Sequence, residues 1–291
     1  MTPNAQTRRG FLRAAGAGAA ALAGAATFGP DEASAGEGSK ANAAAGPLPL
    51  GLTTYMVKEY DLDQTLAMAR RVAVDLICLR SNLLPLESTP EEIAAVLAKV
   101  TQAGLKVYGG GVIYMRDEAG IDRAFAYAKA AGFKLISINL PPDLLPALDR
   151  KVRQTGIRAA IHNHGPEDKH YPTPPAIHEK VKGLDPRIGI CHDTGHTLRA
   201  GMDPVEATVK TADRILDVHL KDVDGRTGKS HSTELGRGVM DIPAFLQTLA
   251  RIGYRGVLGI EYEKHMTDLL PGLAESVGYT RGVQAAQARG G

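Results

Sequence analysis

Residues Arg187–His196 read RIGICHDTGH, a short apolar strand that closes on an aspartate, a glycine and a histidine. Side chains of an extended chain alternate between two faces, so positions 187, 189, 191 and 193 share one face and Ile188 and Ile190 take the other. Asp193 therefore reaches the strand tip on the face away from the isoleucines. Barrels of parallel strands keep their chemistry at such carboxyl-terminal tips.

The same form, an apolar strand closed by a polar or metal-competent side chain, recurs along the chain in alternation with helical patterns, which predicts a parallel sheet with crossover helices. The pattern predicts eight strands, over residues 50–55, 74–80, 105–111, 135–140, 157–163, 187–193, 215–221 and 257–263. Helix starts carry their own chemistry. Thr89-Pro90-Glu91-Glu92 reads as a capping box with proline at the first helical position, Asp61 to Gln64 and Asp203 to Glu206 look alike, and Gly104 and Gly132 suit helix ends. Eight such units predict one closed (β/α)8 barrel. Two connections are longer than a barrel needs, residues 165–175 and 223–240, and long loops at the active face are often lids. Residues Gly225–Ser230 resemble a phosphate loop only superficially, because two residues separate the glycines where four are required.

The chain has 291 residues, 44% hydrophobic and 23% charged, enough to bury a large core. Thr7-Arg8-Arg9-Gly10-Phe11-Leu12-Arg13, an Ala/Gly-rich apolar run to about Phe28 and the A-x-A site Ala33–Ala35 follow in the order of a twin-arginine export signal. Residues 1–35 are thus expected to be removed, 36–47 to form a flexible linker, 48–285 the barrel and 286–291 a disordered tail, with the mature protein periplasmic or extracellular. Removing Arg8, Arg9, Arg13, Asp31 and Glu32 takes 34 basic and 32 acidic residues to 31 and 30, which argues against a nucleic-acid or membrane footprint. No membrane span is expected in the mature form, and homo-oligomerisation is left open. Cys78 and Cys191 each lie inside an apolar strand and read as buried free thiols.

Strand parity selects the candidate site. In 215–221 the residues Leu216, Val218 and Leu220 suit the helix layer, which turns Asp217, His219 and Lys221 inward. By the same test His162 and His164 face inward after Ile157, Ala159 and Ile161, and Glu261 and Glu263 face inward beside Leu258, Ile260 and Tyr262. Four adjacent strands thus present His162, Asp193, His219 and Glu261 to one cavity. Two imidazoles and two carboxylates suit one divalent ion, Mn²⁺, Co²⁺, Zn²⁺ or Fe²⁺, better than Ca²⁺ or Mg²⁺. His192 has outward parity and reads as a histidine under the helices, while His196, just past the tip, suits a substrate contact.

In these motifs the sequence resembles the xylose isomerase-like TIM barrels, which include sugar phosphate isomerases and epimerases, D-tagatose 3-epimerase-like and inosose dehydratase-like enzymes. The resemblance spans about residues 48–283. It is carried by Asp193-Thr194-Gly195-His196, by Val218 to Asp222, by Leu235 to Asp241 leading into Ile252 to Gly256, and by Ile260 to Glu263. In that family a divalent metal is held by Glu, Asp, His and Glu from the last four strands, and the glutamates commonly exchange protons with the sugar carbon. Asp193, His219 and Glu261 match by position. The first ligand departs, with His162 of His162-Asn163-His164 standing where the family has glutamate. The ligand set then carries a charge of about −2 instead of about −3, which makes a bound ion a stronger Lewis acid and removes one carboxylate base.

The resemblance implies a metal-dependent sugar isomerase or epimerase that abstracts a proton alpha to a carbonyl, with Glu261 as base and Lys221 or His196 acting on the departing oxygen. A lyase or hydratase of 3-keto-glycosides or inosose-like polyols is the alternative. Substrate contacts are expected from His164, His196, Tyr55, Arg80 and Arg237, and sugar stacking from Tyr55, Tyr114 or Tyr171. A non-catalytic sugar-binding barrel is a reading of another class. The family's DNA-cleaving branch fits less well, since it needs a multinuclear zinc site and a DNA-binding surface.

Overall fold

The computed structural model describes residues 46–55 and 57–290. The twin-arginine run, the Ala33–Ala35 site and most of the expected linker lie outside these residues.

Eight parallel strands close the barrel. They are β1 Leu50–Thr53, β2 Leu76–Leu79, β3 Lys106–Tyr114, β4 Leu135–Asn139, β5 Arg158–His162, β6 Ile188–Asp193, β7 Ile215–Leu220 and, after a hairpin of β8 Asp222–Val223 and β9 Ser232–Thr233, β10 Leu258–Ile260. All eight expected strands are present. Most are shorter than their apolar runs because the flanking residues turn out of the ladder to become site or loop.

Helices α1 Leu62–Arg71, α2 Pro90–Gln102, α3 Glu118–Ala130, α4 Leu145–Thr155, α5 Pro174–Val181, α6 Thr194–Arg199, α7 Pro204–Lys210, α8 Ile242–Arg251 and α9 Leu270–Gly290 fill the crossovers and the end of the chain. Their caps form as the side chains dictate. Asp61 and Thr89 each complete a capping box with Gln64 and Glu92, and Asp203 accepts from the amides of Val205 and Glu206. Gly104 and Gly132 follow α2 and α3 at φ of 79° and 70°. The tail expected at 286–291 is corrected: α9 runs through Gly290, since Gln284 to Arg289 are mostly good helix formers that continue the turn. No helix among the described residues is long and apolar enough to cross a membrane.

The core lies between the strands and the helix layer, with Ile77, Ile136, Ile161, Ile190, Val218 and Ile260 all fully buried. Parity holds along β5 and β6 but breaks in β7. Ile190 pairs with Ile215 and Cys191 with Asp217, so one extra residue sits in β7. This bulge turns Leu216 inward, onto Leu135, Ala160 and Cys191 at the barrel floor, and corrects its expected outward place. Asp217 faces inward as well.

Candidate metal centre

The register sets the site in one layer. His162 lies opposite Cys191, and Asp193 opposite His219. Glu261 follows β10 directly, and its amide continues the ladder by donating to the Leu220 carbonyl at 3.1 Å.

Asp193 is held at both ends of its peptide by Asn163, whose Oδ1 accepts from the Asp193 amide at 2.9 Å and whose Nδ2 donates to the Asp193 carbonyl at 3.1 Å. One carboxylate oxygen, Oδ1, caps α6 through the His196 amide at 2.7 Å. The other, Oδ2, is left for the cavity. Gly195 clears the way for Lys221: a Cβ there would stand 2.6 Å from Lys221 Cγ.

His162 Nε2 lies 3.1 Å from His219 Nδ1 and 3.6 Å from Asp193 Oδ2, and His219 Nδ1 lies 2.7 Å from Glu261 Oε2. Ligand atoms of a tetrahedral site with bonds near 2.1 Å stand about 3.4 Å apart. These four residues therefore meet the spacing of a mononuclear N₂O₂ site, all their ligand atoms lying within 4.8 Å of one another. Asp193 Oδ2 is also buried without a hydrogen-bond partner, as are His162 Nδ1 and His219 Nε2. A carboxylate oxygen buried without a hydrogen bond is costly even with the Lys221 ammonium 3.3 Å away, and a metal ion here would satisfy it. The residues present fit a divalent ion.

Lys221 Nζ lies 2.8 Å from Glu261 Oε1, 3.1 Å from Glu263 Oε1 and 3.3 Å from Asp193 Oδ2. Burial alone would depress this ammonium, but the Asp193, Glu261 and Glu263 carboxylates hold it well above the usual lysine range. Burial likewise works to raise Glu261, and Lys221 and His219 outweigh it, holding the carboxyl well below its usual range. Glu263 goes the other way, pushed up to about 7 by burial against the pull of Lys221. Burial works to lower His219, and the Glu261 and Asp217 carboxylates outweigh it, holding the imidazole well above its ordinary value.

His164 and His196 form the rim. The His164 ring stands 4.6 Å from that of His162, and its nitrogens meet the Tyr114 hydroxyl at 3.0 Å and Asn139 Nδ2 at 3.2 Å. Burial pushes His164 down to about 4 and His196 down to about 3. Arg199 Nη1 lies 3.1 Å from His196 Nδ1, its Nη2 donates to the Gly228 carbonyl at 2.7 Å, and the same group pairs with Glu167. One arginine thus fastens both long loops to the site. Tyr55 and Arg80 stack on each other at 4.0 Å after β1 and β2.

Two expected substrate contacts are corrected. Arg237 is exposed and forked onto Glu275 of α9, because Asp222 accepts from the amides of Gly236 and Gly238 and folds the intervening residue outward. Tyr171 is wholly buried and offers no stacking face. Cys78 and Cys191 are buried and free, as expected. His192 is sealed under the helices on Thr197 and Thr208, at 3.0 and 3.2 Å. The sequence reading missed Asn163 as a clamp and Asp217 as the partner of His219; the polar residue between two inward histidines was the only signal for the first.

Residues 143–283 match the family model described as Xylose isomerase-like TIM barrel. The matched residues are just under half of the chain, and the closed eight-stranded barrel around them is a (β/α)8 TIM barrel. Among curated relatives, the rhizopine catabolism protein MocC of Rhizobium meliloti is 30% identical over 161 residues, 50% of this chain and 49% of that one. An inosose dehydratase of Geobacillus kaustophilus is 30% identical over 128 residues, 38% of this chain and 41% of that one. The chain thus spans under half the length of these two relatives. The crystal structure of an IOLI protein with a binding zinc atom superposes with a TM-score of 0.65 at 18% identity, covering 83% of this chain and 98% of that one.

Proposed function

We propose that the chain is a divalent-metal-dependent enzyme acting on a sugar, keto-sugar or inosose-like polyol, abstracting a proton alpha to a carbonyl. The observation that carries this reading is Glu261, whose Oε2 faces the imidazole pair while its Oε1 is held by Lys221. When bound by His162, Asp193, His219 and Glu261, a Mn²⁺, Co²⁺, Zn²⁺ or Fe²⁺ ion would supply Lewis-acid polarisation of a substrate oxygen.

The chain's own groups do the rest. Glu261, kept anionic by Lys221, accepts the proton. Lys221 is a charged donor among three carboxylates and stabilises negative charge on a departing oxygen. Arg199 donates to His196 Nδ1, so the neutral imidazole carries its proton on Nε2 and can donate it to substrate. Tyr114, His164 and the clasp of Arg199 limit water at the rim.

Elimination or hydration is favoured over free epimerisation, because His162 stands where a second carboxylate base would be needed on the opposite face. The likeness to inosose dehydratases supports the same choice. The mature form acts outside the cytoplasm, on a free or oxidised sugar, if the twin-arginine signal is used. Turnover of a keto-sugar in D₂O tests the reading. Unsaturated or hydrated product, or deuterium returned on the same face, is expected; full inversion at one carbon with no such product contradicts it.

A further inference from the structure

We infer that the barrel mouth above β1 and β2 is an anion subsite, and that the substrate carries a carboxylate or phosphate at the end away from the oxygens held at the metal centre. This rests on the sugar reading above and adds the substrate's charge to it.

Arg80 follows β2, and its guanidinium lies 4.0 Å over the Tyr55 ring. Lys58 Nζ lies 4.0 Å from the same ring centroid and 2.9 Å from its hydroxyl. Two cations share one phenol, and among the described residues neither meets a carboxylate. The contrast is with Arg153, Arg187 and Arg237, each forked onto an acid on the outer surface. Stacking occupies the face of the guanidinium and leaves its edge N–H groups free in a planar fork, the geometry that takes an oxyanion bidentately.

The place fits a ligand reaching from the metal centre. Lys221 sits among three carboxylates at the metal centre and is assigned to the departing oxygen, so an anionic group at the substrate's other end needs a cation of its own. Burial raises the Tyr114 phenol, and Arg80 draws it back down. Tyr114 is 54% exposed and bonded to His164 at the rim of the metal centre. In the strand order β3 and β2 close the barrel on the side away from β6 and β7, where Asp193 and His219 stand.

The test is calorimetric titration of the Mn²⁺-loaded protein with D-glucuronate, D-glucose 6-phosphate and D-glucose. At least one anionic sugar should bind about tenfold or more tightly than glucose, as one charge-assisted contact predicts. The Arg80→Gln, Lys58→Gln double variant should lose that preference and keep its affinity for glucose, and raised salt should shrink the preference in the native chain. Whether glucuronate or the phosphate gains more identifies the substituent. Equal binding of all three sugars, or a preference that survives the double variant, overturns this inference alone. No binding by any of the three overturns it together with the sugar reading of the site.

Discussion

Asp217 Oδ2 lies 3.5 Å from His219 Nε2, while His219 Nδ1 faces Glu261 Oε2 at 2.7 Å. The aspartate is itself fixed, accepting from Ser137 Oγ at 2.9 Å and the Val218 amide at 3.0 Å, with Cys191 Sγ at 3.6 Å. A carboxylate behind a ligating imidazole sets its orientation and raises its basicity. Asp217 shares the inward face of β7 with His219 two residues on, so the strand's own alternation places the carboxylate beneath the ligand.

Asp217→Asn should therefore weaken metal binding by about 10- to 100-fold without unfolding the barrel. Competition with a chromogenic chelator measures this. An unchanged affinity would show that Asp217 is only a buried polar group.

Asp222 should prove essential to the long loop. Its carboxylate accepts from the amides of Val223, Gly236, Gly238 and Met240 at 2.9 to 3.1 Å, and a Cβ at Gly238 would stand 2.2 Å from its Oδ1. Asp222→Ala strands these donors and is expected to cost about 3 kcal/mol, part of the loss being recovered as the loop opens to water. Urea unfolding gives the energy, and faster hydrogen exchange at Gly236, Gly238 and Met240 gives the place.

Acid should destabilise the fold through His192. Burial pushes this imidazole down from 6.5 to about 4. The unfolded chain then binds more protons between those values, so stability rises with pH across that window and is lost as pH falls through it. The full effect is about 3 kcal/mol, reached below pH 4. His192→Gln should flatten, without abolishing, the dependence of unfolding free energy on pH between 4 and 6.5, because His164 and His196 shift in the same direction. An unaltered slope would mean that His192 is protonated in the fold.

Export remains a proposal from residues 1–35. Replacing Arg8 and Arg9 by Lys should leave precursor in the cytoplasm, and cell fractionation reads the outcome. Processing and release at the native level would remove the twin-arginine reading.

Strand parity made much of this site legible, because burial on one face forces alternation and a closed barrel gives that face a common interior. His162, Asp193, His219, Glu261 and Lys221 converge as alternation requires. Leu216 shows its limit: a bulge leaves no mark in an apolar run, since Leu216 reads as outward until the β6 partner fixes the register. Arg237 and Tyr171 failed for another reason. Whether a rim residue meets substrate depends on tertiary partners, here Glu275 and the buried bed of the first long loop, that no local pattern encodes. The clamp of Asn163 and the brace of Asp217 are likewise long-range hydrogen bonds, visible only once neighbouring strands are in place.

Every functional role assigned above depends on the four-residue metal site, and elemental analysis of the purified protein after reloading with Mn²⁺, Co²⁺ or Zn²⁺ tests it most directly. About one divalent ion per chain is expected, falling to a small fraction in Asp193→Ala and in His219→Ala. A native chain that holds no ion under any of these conditions, or variants that hold as much as the native chain, would contradict the account.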